Sequence, residues 1–413
     1  MLQSFYNSVL GVKSQQFGMD INANNIANVN TYGYKAAKAE FKTIFEKTIG
    51  NGFIGPTNDQ VGLGATAKAS ALDMSQGSLV STDNIFDLAI SGDGWFNVAP
   101  FNGEQQYYTR SGNFHINSEG FLVNSEGLFL MGINARNIIG GDVINPTIVL
   151  NPNSDERAPI NLPTHLIYPG VPTNEVSLRK NLTFGSSFQK QSIGIINPNG
   201  EKKNLIIEFT PSDNQPVVGS SWDYVTFIEG DESNSQNGSL LFDANGAMVE
   251  KTILTLDNGG TPLTFNLGGG FDGVISTTDK INTSVIVNGK PKGDLTNYRV
   301  DQKGNIIASF DNSESAIVAK IPLYHFINDQ GLHKKGSNLF VETNNSGEAK
   351  RFIDENGEFT MGSKILSHML EQSNLQLSIG LTNLIVYQKA YLASTRGITT
   401  SDQMLQTAIN MKK

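Results

Sequence analysis

The chain has 413 residues, 17% of them charged, no cysteine, a formal net charge of −9 and an isoelectric point near 5.1. The acidic balance, with no Lys/Arg run longer than two, argues against a nucleic-acid partner. Without cysteine there are no disulfides, thiolate nucleophiles or zinc–thiolate sites, and no apolar run approaches the roughly 18 residues of a membrane span, so membrane insertion is not expected.

The first predicted element is a long amphipathic helix. Leu2, Phe5, Val9, Val12, Gln16, Met19, Ala23 and Ile26 advance in steps of three and four, a heptad seam with Gln16 as its polar member. Over about 25 residues such a helix is roughly 37 Å long. Ordering its backbone costs about 1–2 kcal/mol per residue. Each large seam residue returns about 1.5–3 kcal/mol on full burial, so a single seam does not stabilise it. The opposite side is also partly apolar, with Tyr6, Leu10, Phe17 and Ile21, while Gly11 and Gly18 each weaken the helix by about 1 kcal/mol relative to Ala. The helix therefore needs partners on more than one side. Its start has no basic region, and Ser, Gln and Asn interrupt any apolar core, so it is not an ordinary signal peptide. The chain reads as cytosolic, or as exported without a cleaved signal.

The helix should stop near Asn28, within the Asn-rich run NNIANVNTYGYK (24–35), where Gly33 suits a turn. Residues 36–72 mix a short amphipathic piece with Gly/Pro-bearing sequence and read as an irregular connector. From about residue 73 the period changes to two. DLAIS, GWFNV, YYTRSG, FHIN, GFLVN and LFLMG are short strands. Turns of the form Asn/Asp-x-x-Gly recur at Asn117–Gly120, Asn124–Gly127, Asp243–Gly246, Asp301–Gly304 and Asp354–Gly357, and mark hairpins. None carries the twelve-residue calcium-loop pattern that ends in Glu.

Residues 146–295 hold most of the prolines and longer polar stretches, and read as a separate β-domain inserted into the first. After it, YRVDQKGNIIASF (298–310) and the run from Lys320 to Thr343 resume the earlier style. A second helix closes the chain. Leu377, Leu381, Leu384, Gln388, Tyr391, Thr395, Ile398, Asp402, Leu405 and Ile409 keep the heptad alternation, and seven of the ten are apolar. The expected fold is mixed but mainly β. Residues 1–35 and 365–413 form a coiled-coil-like helical assembly domain, 73–145 and 296–364 an inner β-domain, and 146–295 an outer one. Two terminal helices patterned alike are expected to pack together or onto neighbouring copies.

Chemistry is hard to find. The five histidines (115, 165, 325, 333 and 368) are dispersed, with no HExxH spacing. There is no GxSxG elbow and no GxxxxGK[ST] loop. LGGGF (267–271) opens no evident helix and does not read as a phosphate site. Paired carboxylates remain open from sequence, since their separation is three-dimensional, but no feature favours them. No catalytic residue, metal or cofactor is assigned, and a β-rich extracellular enzyme or ligand-binding protein stands as the remote alternative.

Four motifs carry a resemblance. NNIANVNTYGYK (24–35), MSQGSLVSTDNIFDLAISGDGWFNV (74–98), YYTRSGNFHINSEGFLVNSEGLFLMG (107–132) and EQSNLQLSIGLTNLIVYQKAYLASTRGITTSDQMLQTAINMKK (371–413) resemble the bacterial flagellar rod and hook axial proteins, most closely the hook members, because the 146–295 segment is present. Two departures, Gly380 and Thr395–Arg396–Gly397, leave another axial component or a second hook-like paralogue open. The resemblance implies a subunit of a curved tube that couples motor rod to filament. It further implies export through the flagellar type III apparatus to a cell-surface appendage. The implied partners are other copies of the chain and the rod, hook-cap and hook–filament junction proteins. Its implied self-assembly residues are the seam positions Leu2, Phe5, Val9, Val12, Met19, Ile26, Leu377, Leu381, Leu384, Gln388, Tyr391, Ile398, Leu405 and Ile409, with Asn24, Asn25, Asn28 and Gly33 of the N-terminal motif.

Overall fold

The computed structural model describes residues 2–44, 46–48, 60–135, 138–139, 141–143, 157–183, 185–278, 282–351 and 363–411. Helix α1 spans Leu2–Ala27 and helix α2 spans Leu377–Asn410. Among the described residues, everything regular between them is strand, apart from one short 3-10 turn at Asp329–Gly331.

The helices lie side by side and antiparallel. Gly11 faces Ser394, Gly18 faces Tyr387, and Gly397 faces Ser8, so the register falls along α2 as it rises along α1. Residues 36–72 are not an irregular connector throughout. Strands Ala37–Thr43 and Ala65–Leu72 pair as an antiparallel ribbon with a bulge at Glu40/Phe41. The ribbon lies along the helices: Ser14 Oγ donates to Ala65 O at 3.0 Å, and the Phe41 and Tyr387 rings are 6.5 Å apart. Its sequence, AKAEFKT and ATAKASAL, is rich in Ala and Lys, with Thr43 and Thr66 its β-branched residues, so helix contact more than propensity sets its conformation.

The main β-body draws on both halves of the chain. One path of its sheet runs through Ile167–Tyr168, Gly293–Val300, Asn305–Phe310, Ser315–Lys320, Phe129–Asn134, Phe96–Ala99 and Tyr107–Thr109. Strand Leu88–Ser91 pairs with Lys364–Ser367, and Leu79–Ser81 with Met369–Glu371, bringing the chain's last strands beside the first strands of the main body. Leu88, Ile90, Phe96, Leu122, Ile306 and Leu323 are among its fully buried core residues. A smaller aromatic cluster of Trp95, Tyr108, Tyr324, Phe326 and Phe340 packs beside it.

The inserted unit is a nine-stranded sheet between Glu175 and Val287, with its own core around Phe209, Trp222, Phe242 and Phe265. Its limits lie inside the 146–295 expectation. Strands Ala158–Pro159, Ile167–Tyr168 and Gly293–Val300 belong to the main body: the first pairs with Phe129–Asn134, and Tyr168, Tyr298 and Val300 lie in the first core. The boundary is a backbone bridge, with Val171 N donating to Lys290 O at 2.8 Å and Lys290 N to Val171 O at 2.9 Å.

The recurring Asn/Asp-x-x-Gly turns share one construction. The side-chain oxygens of Asn117, Asn124, Asp243 and Asp301 each accept from the backbone N–H two and four residues on, at 2.8–3.0 Å. The glycine of each turn has positive φ. These oxygens are engaged in folding the turn. The fifth turn, Asp354–Gly357, lies outside the described residues.

Candidate assembly interface

The N-terminal motif folds into a polar junction between α1 and the body. Asn25 is buried, and its Oδ1 accepts from Ala37 N at 3.0 Å and from the Tyr34 hydroxyl at 3.1 Å, while its Nδ2 donates to Ala37 O at 2.7 Å. One amide thus pairs both backbone groups of Ala37, the first residue of the ribbon's leading strand. Asn28 Nδ2 donates to Asn24 O at 2.8 Å, and Asn28 Oδ1 accepts from Thr31 Oγ1. Gly33 has φ 67°, and its N–H donates to Glu371 O at 2.7 Å. A Cβ there would sit 2.4 Å from Ser111 N, so only glycine fits.

Lys35 is buried behind this turn. Its Nζ donates to Glu371 Oε1 at 2.7 Å and to Ser75 O at 2.8 Å. Glu371 also accepts from Gly77 N at 2.9 Å and lies 3.5 Å from Arg110 Nη1. Two buried cations share one buried carboxylate, and burial pushes both the Lys35 ammonium and the Arg110 guanidinium below their ordinary values, opposed by the Glu371 charge. Asn374 completes the junction: its Oδ1 accepts from Ala36 N at 2.8 Å and its Nδ2 donates to Asp73 O at 2.7 Å. Sequence reasoning marked Asn24, Asn25, Asn28 and Gly33 but passed over Lys35, Arg110, Glu371 and Asn374. All four lie inside the motifs, yet nothing local signals their pairing.

Between the helices the contact is made by small and polar side chains. On α1 the buried residues are Ser14, Gly18, Asn22 and Asn25, and on α2 they are Gly380 and Ser401. A Cβ on Gly11 would lie 2.8 Å from Ser394 Oγ, one on Gly18 2.8 Å from the Tyr387 ring, and one on Gly397 2.6 Å from Ser8 Oγ. Asn22 Nδ2 donates to Gly380 O at 2.6 Å. Of the departures noted above, Gly397 is therefore a site of close helix approach, while Gly380 has room for a Cβ and takes part through its carbonyl.

The apolar seam positions flank this stripe. Phe5, Val9, Val12, Met19 and Ile26 are half-buried, as are Leu384, Tyr391, Ile398 and Leu405. The Leu2 side chain lies outside the described residues. Leu377, Leu381, Gln388 and Ile409 are exposed, and Ile379, Ile385, Val386, Leu392 and Met404 extend the bare apolar surface of α2, each more than half exposed. So many exposed apolar side chains along one 34-residue helix are more than isolated surface hydrophobics. Among the described residues, no group of three or more His, Cys, Asp or Glu could hold a metal, and no helix is long and apolar enough to cross a membrane.

Terminal helices packed side by side, with exposed apolar residues along α2, are carried on a β-body closed by both ends of the chain, and comparison with known proteins places a chain so built among the axial subunits of the bacterial flagellum. The flagella basal body rod protein family matches residues 5–35, the flagellar hook protein FlgE/F/G D1 domain 89–177, and the flagellar basal body rod FlgEFG protein C-terminal family 366–411. The flagellar hook protein FlgE of Borreliella burgdorferi is 30% identical over the whole of both chains, and that of Escherichia coli K12 is 28% identical over 99% of this chain and 100% of its own. The solved Helicobacter pylori flagellar hook protein FlgE2 is similar over 69% of this chain and 98% of its own, with 18% identity and a TM-score of 0.46. The chain belongs to the flagellar hook protein FlgE family and is a structural subunit of the hook.

Proposed function

We propose that the chain polymerises into a flexible tubular joint that transmits torque from the motor rod to the filament. The bare apolar face of α2 carries this reading. Residues such as Ile379, Ile385, Val386 and Leu392 are left more than half exposed by their own chain, and each returns about 1 kcal/mol when a neighbouring copy covers what remains. In the tube, α1 and α2 of many copies pack in a coiled-coil-like manner as a stiff inner wall. The main β-body lies outside them and the inserted sheet outermost, where polar, wetter contacts rearrange at lower cost than an apolar core. The subunit leaves the cell through the flagellar type III apparatus. It meets the rod at one end of the tube, and the hook cap and the hook–filament junction proteins at the other.

Electron microscopy of purified full-length protein tests the polymer. Tubes are expected from the unsubstituted chain and not from Ile385→Asp/Val386→Asp. Because both residues are exposed, the double variant should stay within about 1 kcal/mol of the parent in stability. Tubes from the variant at the parent's threshold concentration would overturn the proposed use of this face.

A further inference from the structure

The chain has no cysteine, so the thioethers of methionine are its most readily oxidised side chains. The fold shelters most of them. Of the methionines whose side chains are described, Met131 and Met248 are buried, and Met19, Met74 and Met369 are partly buried. Met404 and Met411 alone among these are exposed, at 55% and 79%. Met404 stands in the last two turns of α2, and Met411 caps its end. At about 100° per residue, Ile379, Val386, Met404 and Met411 fall within about 20° of one line along the helix axis. All four are exposed. The two thioethers therefore extend the apolar surface that, on the reading above, a neighbouring copy covers.

A thioether suits that place because it is flexible and apolar. A sulfoxide does not, since it carries a polar oxygen that needs a hydrogen-bond donor. The side chains around Met404 have none to give. Thr400 and Thr407 lie one turn to either side of it. Thr400 Oγ1 donates to Arg396 O and Thr407 Oγ1 to Gln403 O, both at 2.9 Å. The Gln406 amide donates to Asp402 Oδ2 at 3.0 Å. A sulfoxide at Met404 thus relies on water, and covering the helix would strip that water and leave a buried acceptor unpaired.

We propose that Met404 and Met411 form an oxidation site through which peroxides arrest the subunit before it assembles. The thioether sulfur attacks one peroxide oxygen. The S–O bond forms as the O–O bond breaks, the sulfur loses two electrons, and the peroxide is reduced to water, leaving a sulfoxide. The free subunit is sensitive, and a subunit whose α2 is covered is protected. An oxidant therefore halts growth of the tube and spares what is already built. The inference rests on the polymer reading above.

Full-length protein treated with hydrogen peroxide tests it, with sulfoxides located by peptide mass spectrometry and the threshold concentration for tubes measured by sedimentation. Met404 and Met411 are expected to oxidise well before Met131 and Met248. The threshold should rise at least about tenfold while the subunit's circular dichroism is unchanged, and methionine sulfoxide reductase should restore it. Met404→Leu/Met411→Leu should assemble at the parent's threshold before and after peroxide. Met404→Gln/Met411→Gln, polar without any oxidant, should show the raised threshold untreated. Full oxidation of both residues with an unchanged threshold would overturn the proposal, as would a Leu variant as peroxide-sensitive as the parent. Equal oxidation of Met404 in tubes and in free subunits would overturn the protection. Absence of tubes from the untreated parent would instead overturn the polymer reading, and this proposal with it.

Discussion

Lys35 and Glu371, 336 positions apart, form a 2.7 Å ion pair in which each side chain is 1% exposed. The pair joins the turn after α1 to the strand that leads into α2. Removing Glu371 leaves Lys35 and Arg110 buried without their shared anion. Removing Lys35 leaves Glu371 with Arg110 and the Gly77 N–H. Glu371→Gln is therefore expected to cost about 3–5 kcal/mol and Lys35→Met clearly less. Denaturant unfolding of both variants checks this, and equal costs would show that Arg110 contributes no uncompensated charge.

Gly18 lies under the Tyr387 ring, whereas Gly11 meets only the Ser394 hydroxyl. A hydroxyl can rotate away, but a packed ring cannot. Gly11→Ala should be near neutral, its contact offset by the roughly 1 kcal/mol gain in helix propensity. Gly18→Ala should destabilise the helix pair by about 1–3 kcal/mol from overpacking, less the same gain. Thermal melts of helical circular dichroism distinguish them, and Tyr387→Leu should relieve the second.

Two groups set opposite pH limits. The hydrogen bond from Lys38 holds the Asp73 carboxyl at about 2, below its ordinary 3.8, with Lys38 Nζ at 2.6 Å. A depressed carboxylate contributes stability above its unfolded pKa and loses it as pH falls through the folded one. The stability gap between parent and Asp73→Asn should therefore be constant above about pH 4 and close toward pH 2. Burial pushes the Tyr108 hydroxyl up to about 12 from 10.0. A raised phenol is stabilising below its unfolded pKa and loses that contribution as pH rises through the folded one. Tyr108→Phe should gain on the parent between about pH 10 and 12. Unfolding curves across both ranges check the signs.

The bridge between Val171 and Lys290 brings the two ends of the inserted sheet together. Replacing residues 172–289 with a short Gly/Ser linker should leave the main core intact, because loop closure there costs little. The truncated subunit is expected to be exported and to form tubes that are straighter or floppier than the parent's, with reduced motility. Imaging hook–basal bodies from a hook-null strain carrying the deletion checks this. Stable, exported protein with no tubes would locate the essential assembly contacts in the insert.

Local sequence determined the elements that rest on local physics. Heptad spacing marked both helices, alternation marked the short strands, and Asn117, Asn124, Asp243 and Asp301 marked turns that their own side chains build. The motifs at both ends were enough to suggest the family. Tertiary structure decided which surfaces meet. Hydrophobic periodicity finds the stripe that must leave water, and along α2 much of that stripe stays bare in the single chain, available to another molecule. The helices instead touch through Gly11, Gly18, Gly397 and their serine and tyrosine partners, which carry little hydrophobic signal because close approach needs small residues. The Lys35–Glu371 pair and the ribbon of residues 37–43 and 65–72 were equally hidden. Each depends on a partner distant in sequence, and a buried charge or an alanine-rich strand is stable only once that partner is in place.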